Sequence, residues 1–62
     1  MKETYYVRRG VAGEILSTRM STPKRMDALR NAAESAILNP GFTYIVCKGD
    51  SEIAKFFVKE ED

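Results

Sequence analysis

Two prolines, Pro23 and Pro40, bracket the middle of the chain and leave room between them for one helix and little else. Thr22 is of a type that caps helix starts, and Pro23 suits the first helical position, where its missing N–H costs nothing. Asn39-Pro40-Gly41 supplies the stop, because the residue before a proline avoids the α region and glycine permits the turn that follows. Between these signals Met26, Leu29, Ala33, Ala36 and Ile37 recur at helical spacing on one face, with Lys24, Asp27, Asn31, Glu34 and Ser35 opposite. The pattern predicts a helix that packs through the first set.

About twenty residues remain on either side, enough for two short strands each. Thr4 to Arg8 is β-branched and aromatic, Gly10-Val11-Ala12-Gly13 marks a turn, and Glu14 to Met20 reads as the return strand. Gly10 and Gly13 have the spacing of a KH-type GxxG loop, but that loop joins helices and these flanks read as strands. Beyond the helix, Phe42 to Cys47 has the richest strand composition in the chain, Lys48-Gly49-Asp50-Ser51 is a turn, and Glu52 to Lys59 returns. The expected fold is a single α+β domain spanning residues 1–62, a small two-layer sandwich of order β-β-α-β-β. In it an antiparallel sheet carries one helix on one face.

One helix covers one face of such a sheet, yet both faces carry apolar residues. On the third strand Phe42, Tyr44 and Val46 alternate with Ile45 and Cys47; on the fourth, Ala54, Phe56 and Val58 alternate with Ile53 and Phe57. Two readings follow. Either an aromatic face bearing Phe42 and Tyr44 is open and serves as a contact surface, or the sheet twists enough for edge residues and lysine stems to cover it.

Composition removes several kinds of chemistry. There is no histidine and one cysteine, so a histidine-based metal site, a Cys–His nucleophile pair and an internal disulfide are all excluded. No cofactor is expected. Cys47 sits in a β-run and reads as a small buried hydrophobe, and a lone thiol suits a reducing, cytoplasmic setting. No run approaches the length of a membrane span, and the charged start shows no apolar leader. Six of the 27 hydrophobic residues are alanine, which leaves a small core and little interior for a substrate pocket. The expectation is a non-enzyme.

Charge is unevenly spread although the net is +1. Residues 1–30 hold seven basic and three acidic residues, and residues 31–62 hold three basic and six acidic. Arg8, Arg9, Arg19, Lys24 and Arg25 form the expected basic patch for a partner. Within it, Thr22, Lys24 and Arg25 at the helix start are a candidate anion site, since free N–H groups and cations meet there. Cations in a first helical turn oppose the helix dipole, so Lys24 and Arg25 break a local rule. The alternative is that Asp27 or the Glu60-Glu61-Asp62 tail neutralises them. Arg25 and Arg30 flank the apolar stripe, while Asp27 and Glu34 on the exposed face argue against a helix that enters a DNA groove.

Gly41-Phe42-Thr43-Tyr44-Ile45-Val46 resembles the glycine–aromatic signature of the third strand in RRM domains. That resemblance implies base stacking by Phe42 and Tyr44; it covers six residues, and Pro40 stands where a basic residue would precede the glycine. Thr22 through Val46 looks in outline like small phage-encoded inhibitors of host RNA polymerase and like the half-domain of HicB-type antitoxins, although the Pro-Asp-Leu-Pro-Gly type segment of the antitoxins is missing. These resemblances imply regulation by occupation of a partner. The expected function is a small cytoplasmic binding or regulatory protein, inhibitor- or antitoxin-like, whose partner is another protein. A nucleic-acid binder using the basic patch and strand aromatics is the alternative, and a homodimer is compatible with either.

Overall fold

A computed structural model describes residues 3–11 and 14–60 of the chain. The elements run β1 (Tyr5–Val11), β2 (Glu14–Thr22), α1 (Arg25–Leu38), β3 (Thr43–Lys48) and β4 (Ser51–Phe57), the β-β-α-β-β order expected. The four strands form one sheet in the order β2-β1-β3-β4, with every neighbouring pair antiparallel. Because β2 and β3 both oppose β1, they run parallel to each other, and α1 is the crossover that carries the chain over β1. Ala12 and Gly13 of the first turn lie outside the described residues. The second hairpin closes on Gly49 and Asp50, with Lys48 opposite Ser51 and Gly49 at φ 60, where glycine pays no Cβ penalty.

The helix starts later than Pro23. Thr22 is the last residue of β2, paired with Tyr5, and its Oγ1 accepts a hydrogen bond from the Lys24 N–H at 3.2 Å. Lys24, with extended φ −105 and ψ 117, takes the N-cap position and offers no side-chain cap. Sheet pairing of Thr22 therefore outweighs its capping tendency. The stop is as expected: the Asn39 N–H and Nδ2 both donate to the Ser35 carbonyl, and Gly41 turns the chain at φ 96.

The helix is also rotated from the expected face. Ala28, Ala32 and Ala36 are the buried residues, at 0%, 0% and 2% exposure, whereas Met26 and Ile37 are 66% and 68% exposed. Of the predicted stripe, Ala36 is buried, Leu29 and Ala33 are half-buried, and Met26 and Ile37 face solvent. The reason is steric. The sheet supplies the bulk through Tyr5, Val7, Tyr44 and Val46, and a stripe of methyl groups lets the helix backbone settle onto those side chains. Met20, Leu29, Phe42, Ile53, Ala54 and Phe56 close the margins of this core.

Tyr44 is 2% exposed beneath α1, which overturns the expectation that it lies on an open aromatic face. The face turned from the helix carries Tyr6, Arg8, Ile45 and Cys47. Ile45 is buried there without any helix above it; its cross-strand neighbours are Arg8 on β1 and Lys55 on β4, whose aliphatic stems suit the cover it receives. Cys47 is half-buried rather than buried, between Tyr6 and Glu52.

Candidate functional site

The five expected basic residues do not form one surface. Arg8 and Arg9 are consecutive on β1 and therefore project from opposite faces of the sheet, Arg8 exposed and Arg9 half-buried. Arg19 is the extra residue of a bulge in β2, between the Val7–Met20 and Arg8–Thr18 pairs, and it is exposed. Lys24 and Arg25 lie beyond Thr22, which pairs with Tyr5, three residues back along β1 from Arg8, or about 10 Å. The sheet thus separates an arm cluster (Arg8, Arg9, Arg19) from a helix-start cluster (Lys24, Arg25).

Arg9 is the most structured member of the arm. Its guanidinium carbon stands 4.9 Å from the centroid of the Phe42 ring, a cation–π arrangement that also occupies one face of the ring. Its Nε is buried without a hydrogen-bond partner, and so is Oγ of Ser17, its cross-strand neighbour. Phe42 is packed against the core margin and Tyr44 lies inside the core, so the two aromatics expected to stack on bases are not presented together.

At the helix start, the Thr22 hydroxyl oxygen already accepts the Lys24 N–H, and the residue sits in a strand rather than in the first turn. Accepting that bond leaves the Thr22 O–H free to donate, but the residue stands two positions before the N-cap Lys24 rather than at the N-cap expected of it. Neither Lys24 nor Arg25 forms an ion pair among the described residues. Asp27 does not neutralise them, and Glu60 lies against Gly41, at the far end of the helix. Glu61 and Asp62 lie outside the described residues.

Sequence reasoning missed the ion pair that the fold does make. Lys48 Nζ lies 2.6 Å from Glu3 Oε1, and Tyr5 donates its hydroxyl to Glu3 Oε2 at 3.2 Å. The hydrogen bond from Lys48 holds the Glu3 carboxyl below its ordinary range, with Tyr5 adding to the effect, and the same bond raises Lys48. Arg25 lies near enough to oppose that rise slightly. The signal that finds this pair is register, Tyr5 opposite Lys48, with Glu3 two residues before Tyr5 in the extended chain.

Among the described residues no group of three His, Cys, Asp or Glu side chains could hold a metal ion, and no helix is long and apolar enough to cross a membrane. The fold and surface define a small antiparallel α+β domain with two separate basic clusters. No protein-family model, curated protein or solved structure matches the chain.

Proposed function

We propose that this protein works by binding alone, occupying a surface of another protein as a small regulator or inhibitor does, in the cytoplasm where its lone thiol stays reduced. The observation that carries the reading is the arm. Arg8 and Arg19 stand exposed on the β1–β2 pair, neither with an acidic partner among the described residues, while Arg9, on the opposite face from Arg8, lies over Phe42. Exposed arginines with no acidic partner among the described residues suit an acidic protein surface, steering the encounter and then anchoring it. Half-buried Tyr6 and Cys47, beside Arg8 on the sheet's uncovered face, supply adjoining apolar contact.

The test uses exposed positions so that the fold is spared. Tagged wild-type protein and an Arg8→Glu/Arg19→Glu variant are compared for co-purifying proteins, and both are titrated with labelled single-stranded RNA and duplex DNA between about 50 and 200 mM salt. A protein retained by the wild type and lost by the variant supports the reading. Binding to either nucleic acid that weakens steeply with salt replaces the protein partner by a nucleic acid.

A further inference from the structure

We draw no further inference here: the strongest candidate, the exposed apolar surface patch at the C-terminal end of α1, where Ile37 and Leu38 stand by Val11 at the end of β1 and Val58 just beyond β4, carries nothing because nothing in the structure shows what covers it.

Discussion

Replacing Tyr44 with serine removes an aromatic ring from beneath α1, where the side chain is 2% exposed and packed in the cluster with Val7, Val46 and the helix alanines. Truncating a buried aromatic typically costs about 3–5 kcal/mol, which is as much as the whole core of so small a domain supplies. Tyr44→Ser is therefore expected to be largely unfolded by circular dichroism at room temperature, and a variant that melts near the wild type would remove Tyr44 from the core. The Glu3–Lys48 pair acts through pH instead. The folded state holds the Glu3 carboxyl below its ordinary value of 4.5, so the pair's contribution is present above that pH and is lost as pH falls through the lowered value. Lys48 is raised above 10.5, so its share is present below that pH and is lost as pH rises through the raised value. Melting temperature against pH is expected to fall more steeply below about 4.5 in the wild type than in Glu3→Gln. Equal slopes would show that the pair is not maintained in solution. Tyr44 and Glu3 were legible to different degrees. Alternation placed Tyr44 with Val46 on one face of β3 without saying which face the helix covers, and the partner of Glu3 depends on register, which no local pattern fixes.

The helix shows how the balance of apolar bulk misleads a reading by periodicity. Met26, Leu29 and Ile37 outweigh three alanines in any hydrophobic pattern, so the larger stripe was expected inside. Bulk is decided across the whole interface, however, and the sheet already presents two tyrosines and two valines to α1. Only small residues on the facing stripe allow close packing at ordinary density. Adjacent positions separate the two stripes experimentally. Ala32 has no accessible surface, so Ala32→Leu is expected to overpack the helix–sheet contact by about 1–3 kcal/mol, at about 4–8 °C of melting temperature per kcal/mol. Ala33→Leu, half-buried on the free flank, is expected to leave the dilute protein's melt nearly unchanged. Comparable losses in both variants would mean that the helix packs through the larger stripe after all. The late helix start has a similar origin: Thr22 has both capping and strand tendencies, and pairing with Tyr5 decides between them.

Across the whole molecule, the crossover and the sheet order separate residues that lie close in sequence and join others that do not. Consecutive Arg8 and Arg9 leave the sheet on opposite sides, and the arm cluster stands away from Lys24 and Arg25, so the single patch suggested by the crowded first half of the chain becomes two. What the sequence determined by itself was the number, kind and order of the elements, the two hairpins, the Asn39-Pro40-Gly41 stop and the missing histidine-based chemistry. These follow from backbone preferences and spacing within a few residues. The tertiary structure alone decided which helix stripe and which strand face meet, that Tyr44 is core, that Glu3 pairs with Lys48, and which cations have no partner among the described residues. Those outcomes depend on volume and register summed over segments far apart in the chain.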